Sequence, residues 1–153
     1  MTLQIFMGFF SKLFTAAPPA PFVISDEREA FASILFACVM ADGSSSEEER
    51  TQFVSTLMSR PLFAFGDASN IIYRAIKNCE RTSNGALLVD AAIGAITSQN
   101  REPLFLYCVD IILADGQVTS QEEEILDYLK AKLGISDALA QKAVEIFMLK
   151  NRV

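Results

Sequence analysis

The sequence predicts an all-α domain, and three observations carry that expectation. Apolar residues recur at helical spacing, with no sustained period-two alternation and no hairpin signal between β-branched runs. Capping residues and glycines punctuate the chain at helix-length intervals. An element reading A-D-G-x-x-[ST]-x-x-E occurs twice, with its aspartates at Asp42 and Asp115. The chain has 153 residues, 51% of them apolar, which suffices for one domain with a genuine core.

The first 21 residues form a separate arm and linker. MTLQIFMGFFSKLF places Ile5, Phe6, Phe9, Phe10, Leu13 and Phe14 at helical spacing. The stretch is too short to span a bilayer and lacks a small-residue cleavage site. A short helical arm that docks on its own domain or on a second subunit is the favoured reading. A helix lying on a membrane surface is the other, and Lys12 is its only basic residue. AAPPAP follows, and Pro18, Pro19 and Pro21 keep it from being helix.

Residues 22–153 then read as one helical domain. Asp26 with Glu29 forms a capping box that opens a helix running to about Ala41. Gly43 stops it, and Ser46 caps the next, over about 47–59. Pro61 breaks the chain before a helix at about 68–81, started from Asp67 or Ser69. Asn84 caps a helix over about 85–98. Pro103 suits the first turn of the next, over about 102–114. Thr119 caps a helix to about Leu133, which Gly134 ends. Ser136 caps the last, to about Lys150, with Leu139, Ala143, Ile146 and Phe147 on one face. The expectation is about seven helices plus the arm.

Within this order lies an internal repeat. FASILFACVMADGSSSEEERTQF (31–53) aligns without a gap over LFLYCVDIILADGQVTSQEEEIL (104–126). Each copy opens with a nearly all-apolar helix, which calls for burial on every side. Ser46 matches Thr119 and Glu49 matches Glu122. Two helical hairpins related by a pseudo-twofold are the expectation. Helix punctuation explains most of the element. The glycine takes the left-handed conformation, the Ser or Thr caps the second helix, and the Glu completes a capping box. Glu47, Glu48, Glu123 and Glu124 sit in first turns, where the helix dipole favours anions. The aspartate before the glycine is left without a role on this account. A helix C-terminus is electrostatically the wrong end for an anion, whereas a cation site would call for two such carboxylates.

ADGSSSEEE and ADGQVTSQEEE, each after an apolar helix, resemble the paired signatures of the TerB-like family, named for a tellurite-resistance protein. Related domains accompany a DnaJ-type co-chaperone, and MGFFSKLF from Met7 is similar to the start of such proteins. The resemblance covers roughly residues 25–150. It implies an α-helical fold, a cytoplasmic role in stress or metal-ion resistance, and an acidic cluster for a divalent metal. Matched to the motif, the metal-ligand positions are Asp42, Glu49, Asp115 and Glu122. Ser45 departs from the pattern, standing where Val118 supplies the usual apolar residue.

Composition narrows the chemistry further. The net charge of −6 argues against non-specific nucleic-acid binding, which needs a basic patch. Histidine is absent, so a metal site must use oxygen or thiolate ligands. Four carboxylates suit calcium, magnesium or manganese. The spacing is not that of an EF-hand. Cys38, Cys79 and Cys108 include no C-x-x-C pair and read as buried thiols in a reducing compartment. Asp90 and Asp110 interrupt apolar runs, and the expectation for both is a place at the rim, at a helix end or beside a partner Arg. No phosphate loop, histidine-assisted nucleophile or cofactor fingerprint occurs.

The functional expectation is therefore a non-enzymatic, divalent-cation-binding helical protein of the cytoplasm. It would associate with a protein partner or with itself as a homodimer, with no role for nucleic acid and at most peripheral membrane contact through the arm. The alternative is a metal-free interaction module whose A-D-G elements are only caps and turns.

Overall fold

In a computed structural model of the chain, residue 10, residues 22–82 and residues 84–153 are described. They form seven α-helices and no strand: α1 (Glu27–Val39), α2 (Glu47–Met58), α3 (Ala68–Thr82), α4 (Gly85–Ala92), α5 (Ser98–Ile112), α6 (Ser120–Leu133) and α7 (Asp137–Lys150). Short 3₁₀ turns occupy Pro61–Phe63 and Ile93–Ala95. The chain divides into two compact units, Met1–Ile96 and Thr97–Val153, and each holds one copy of the repeat.

In the first unit α1 is the central element and packs against α2, α3 and α4. Nine consecutive residues, Ala30 to Cys38, are buried, as an apolar helix without a polar face requires. Phe36 meets Phe53 of α2 at 4.9 Å between ring centroids, and Phe31 meets Phe63 edge-on at 6.3 Å. Fully buried side chains of this kind each stabilise by about 1.5–3 kcal/mol. Against α1, α3 lays a stripe of Ile71, Ile72, Ala75, Asn78 and Cys79.

Asp26 caps α1, its Oδ1 accepting from the N–H of Arg28 at 2.8 Å and of Glu29 at 3.2 Å. The expected reciprocal bond from Glu29 is replaced by a longer-range role. Its carboxylate accepts from Arg74 Nε at 3.0 Å and Asn78 Nδ2 at 2.7 Å, both on α3. A charged partner outcompetes a neutral backbone N–H for a half-buried carboxylate.

The expected helix over 85–98 is shorter than its pattern. It ends at Ala92 and passes through the 3₁₀ turn that contains Gly94. Ile96 and Thr97 are extended, at ψ 114° and 156°, and α5 starts at Ser98. Glycine weakens the helix in mid-run, and Thr97 offers an N-cap conformation for a new one. Pro103 consequently lies inside α5 and not in its first turn. There its missing N–H removes one bond of the helix ladder.

Of the arm, Phe10 is described and is fully buried. Its ring lies so close to Gly85, the first residue of α4, that a Cβ there would stand 2.6 Å from Cε1. At this residue the arm docks on its own unit. The remaining expectations for residues 1–21 lie outside the described residues.

In the second unit α5 packs against α6 and α7. Its buried residues are Leu104, Phe105, Cys108, Val109 and Ile112, a single face where burial all round was expected. α6 returns Ile125, Leu126, Leu129 and Leu133 to the core. The α6–α7 turn uses Gly134 at φ 70° and the Ser136 cap. Lys130 pairs with Asp137 across it. Ile146, expected on the inner face of α7, is 60% exposed, and among α7 residues Ala143 alone is buried.

The hydrogen bond and charge of Lys130 hold the Asp137 carboxyl below its ordinary 3.8. A lowered carboxyl pKa gives stability that is complete above the unfolded value and lost as pH falls through the folded one. In Lys130→Met, the Asp137 titration read by carboxyl carbon NMR should return upward to the ordinary range. No helix among the described residues is long and apolar enough to cross a membrane.

Candidate functional site: two A-D-G elbows

Each copy of the repeat folds into the same elbow between two helices. In the first, α1 ends at Val39 and Gly43 takes φ 100° before α2 starts at Glu47. In the second, α5 ends at Ile112 and Gly116 takes φ 77° before α6 starts at Ser120. Both second helices open with complete capping boxes. Ser46 Oγ accepts from Glu49 N at 3.0 Å, and Glu49 Oε1 accepts from Ser46 N at 2.8 Å. Thr119 Oγ1 accepts from Glu122 N at 3.1 Å, and Glu122 Oε1 accepts from Thr119 N at 3.0 Å.

The aspartates have a local role that sequence reading did not supply. Asp42 Oδ1 accepts from the N–H of Ser44 at 3.2 Å, and Asp115 Oδ1 from that of Gln117 at 3.0 Å. This is an Asx turn, in which a carboxylate bonds its own backbone two residues on. The carboxylate turns forward from the helix end and meets the donors of the elbow. All four predicted ligand residues thus hold backbone N–H groups within their own elbow. Asp42, Glu49 and Asp115 are exposed and Glu122 is half-buried. Among the described residues no group of three or more Cys, Asp or Glu side chains is placed to hold a metal ion.

The elbows differ in what braces them. In the first, Arg50 Nε donates to Ser45 Oγ at 2.8 Å, so the residue that departs from the repeat carries a contact of its own. The same guanidinium reaches Glu80 at 3.7 Å. In the second, the end of the chain closes over the turn. Asn151 Nδ2 donates to Asp110 Oδ1 at 3.0 Å and to the Leu113 carbonyl at 3.1 Å. Lys150 Nζ reaches Asp110 Oδ1 at 3.3 Å. Asp110 is therefore a rim carboxylate, as expected for an acid in an apolar run, and its cationic partner is Lys150 where an Arg was expected. A Cβ on Gly116 would meet the Asn151 carbonyl oxygen at 2.7 Å.

With two such elbows in an all-helical chain, comparison with protein families is decisive. The model of the tellurite resistance protein TerB family matches residues 28–145. The chain belongs to the TerB family. The match takes in both elbows and most of the seven helices. No curated protein and no solved structure matches the chain.

Beyond the elbows, the TerB domain buries a polar cluster between α1 and α3. Ser33 is fully buried, and Asn78 nearly so. Asn78 Nδ2 bonds Glu29 and lies 3.5 Å from Ser33 Oγ, and Arg81 donates to Asn78 Oδ1 at 3.3 Å. The sequence holds a signal for it. Asn78 falls in register with Ile71, Ile72 and Ala75 on the buried stripe of α3. A polar residue there needs a partner across the interface. The three cysteines are buried and outside any disulfide. The Cys79 thiol donates to the Ser33 carbonyl at 3.3 Å, and burial pushes its pKa well above the ordinary value, so it is a poor nucleophile. Asp90 is exposed.

Removing the cap hydroxyl in Ser46→Ala or Thr119→Ala should cost about 1 kcal/mol each in urea unfolding.

Proposed function

We propose that this TerB-family chain is a non-enzymatic, stress-associated helical module of the cytoplasm that acts by protein contact, with its A-D-G elements serving as rigid elbows. The observation that carries this reading is the commitment of Asp42, Glu49, Asp115 and Glu122 to backbone donors of their own turns. A carboxylate that closes a turn has a reason to be present with no ion. Apolar side chains that face solvent supply contact area, among them Phe65, Tyr73, Ile146 and Leu149. Another protein or a second copy of the chain is the partner this reading calls for. Three buried cysteines fit a reducing compartment.

A second reading keeps the divalent cation. Each of the four carboxylates uses one oxygen in its elbow. The remaining oxygens, two in each elbow, are hard donors of the kind that calcium, magnesium or manganese takes. Thermal melts at millimolar concentrations of each ion separate the two readings. A ligand that binds only the folded state raises the melting temperature by mass action. For elbows alone, wild type and Asp115→Ala should respond to each ion equally. A rise of several degrees in wild type that vanishes in Asp115→Ala would establish the cation reading instead. Sedimentation velocity over a range of concentrations reports self-association independently.

A further inference from the structure

We infer that α7 is a releasable strap, latched at its C-terminal end onto the second A-D-G elbow. Two features set α7 apart. It is long enough to be a core element, yet of its 14 residues Ala143 alone is buried. Ile146 and Leu149 are 60% and 61% exposed, so little apolar burial holds the helix down. The second feature is where its polar fastenings lie. At the entry end, the Lys130–Asp137 pair and the Ser136 cap fix the turn from α6. At the exit end, Lys150 and Asn151 converge on Asp110, and Asn151 also satisfies the Leu113 carbonyl at the end of α5. That carbonyl also accepts from the Gly116 N–H at 2.9 Å, so the elbow and Asn151 share one acceptor at the helix end.

The latch engages the elbow itself. Gly116 lies against the backbone of Asn151 and Arg152, with no room for a side chain between them. Displacing the Asp115–Gly116 turn therefore displaces Asn151, and freeing Asn151 uncovers the turn. The Lys150 contact is exposed and the Asn151 contacts are part-buried, and once α7 lifts both kinds are exchanged for water at small net free energy. A helix held mainly by them opens locally at lower free energy than the core helices around it. Release presents Leu139, Phe147 and Met148, half-covered in the docked helix, together with the exposed Ile146 and Leu149. The first elbow is braced instead by Arg50 on Ser45 and Glu80. The switch thus belongs to the second copy of the repeat, and it holds whether the elbows bind ions or not.

Hydrogen exchange on the full-length chain tests this. In wild type, α7 amides from about residue 141 onward should exchange faster than those of α5 and α6. In Asn151→Ala and in Asp110→Ala, α7 exchange should rise about ten-fold further, the factor set by losing roughly 1.4 kcal/mol of latch contacts. The latch is lost in global unfolding too, so core amides of α5 and α6 should fall by no more than the same factor and stay better protected than α7. Gly116→Ala, which pushes on the latch from the elbow side, should accelerate α7 further and lower α5 and α6 as well, since its strain falls on the whole second unit, with α7 still the least protected of the three. Equal protection of α5, α6 and α7 in wild type would overturn the inference. So would variants that leave α7 unchanged, or in which α5 and α6 lose their margin of protection over α7, since a contact that belongs to one cooperative unit behaves that way.

Discussion

Phe10→Ala should remove about 3–5 kcal/mol from the unfolding free energy of the first unit, as large aromatic truncations in cores do. Phe10 is fully buried although it lies in the arm and outside the helical body. Its ring sits at the N-terminus of α4, where Gly85 is the one residue type that leaves room for it. Gly85→Ala should therefore destabilise as well, by about 1–3 kcal/mol, through overpacking. In the Phe10→Ala background the added methyl should cost much less, because the ring it strikes is gone. Urea unfolding followed by circular dichroism on the four chains measures this coupling. Equal penalties for Gly85→Ala in both backgrounds would show that the ring does not occupy that place. The result also bears on the arm's purpose. A residue worth this much to the fold is a structural anchor, and an arm used only to reach a membrane would leave stability unchanged when Phe10 is truncated.

The helices were legible because their stops and starts are written in local chemistry. Ser46, Asn84, Thr119 and Ser136 are caps whose side chains bond the next turn, and each lies where the sequence placed it. Positive φ at Gly43, Gly116 and Gly134 is equally local. Misreadings arose where tertiary contacts outbid local ones. Glu29 left its expected cap bond for Arg74 and Asn78, 45 and 49 residues away. The run from Asn84 to Ser98 carries helical spacing throughout, yet breaks at Ile93–Ala95, and spacing alone does not mark where a helix tightens and stops. At the elbows, the sequence located all four carboxylates but offered only a cation to explain the aspartates. An Asx turn leaves no trace in residue type, because the same Asp-Gly pair serves both roles. The paired role of Asp110 was foreseeable in kind, though Lys150 and Asn151 could not be named as its partners from 40 residues away.

Gly116→Ala should cost the second unit about 2–5 kcal/mol, well beyond what loss of glycine freedom explains. Two penalties combine there. A non-glycine residue at φ 77° carries strain of roughly 1–2 kcal/mol. The new Cβ would also meet the Asn151 oxygen at 2.7 Å and the Arg152 Cα at 3.1 Å, and overpacking of this kind adds about 1–3 kcal/mol. The neighbour has little freedom to yield. Asn151 is held through its N–H to the Phe147 carbonyl at 2.9 Å and through its side chain to Asp110 and Leu113. Gly134 is the internal reference: its φ is 70°, and a Cβ there meets nothing within 4 Å. Gly134→Ala should therefore cost only the strain, about 1–2 kcal/mol. The difference between the two variants isolates the contact between the elbow and the end of the chain. It should shrink in the Asn151→Gly background, where the side-chain tethers are gone and the backbone can give way. If Gly116→Ala and Gly134→Ala unfold at the same urea concentration, the elbow and the C-terminal segment do not touch in solution. The second A-D-G element would then be no more than the turn its capping box describes.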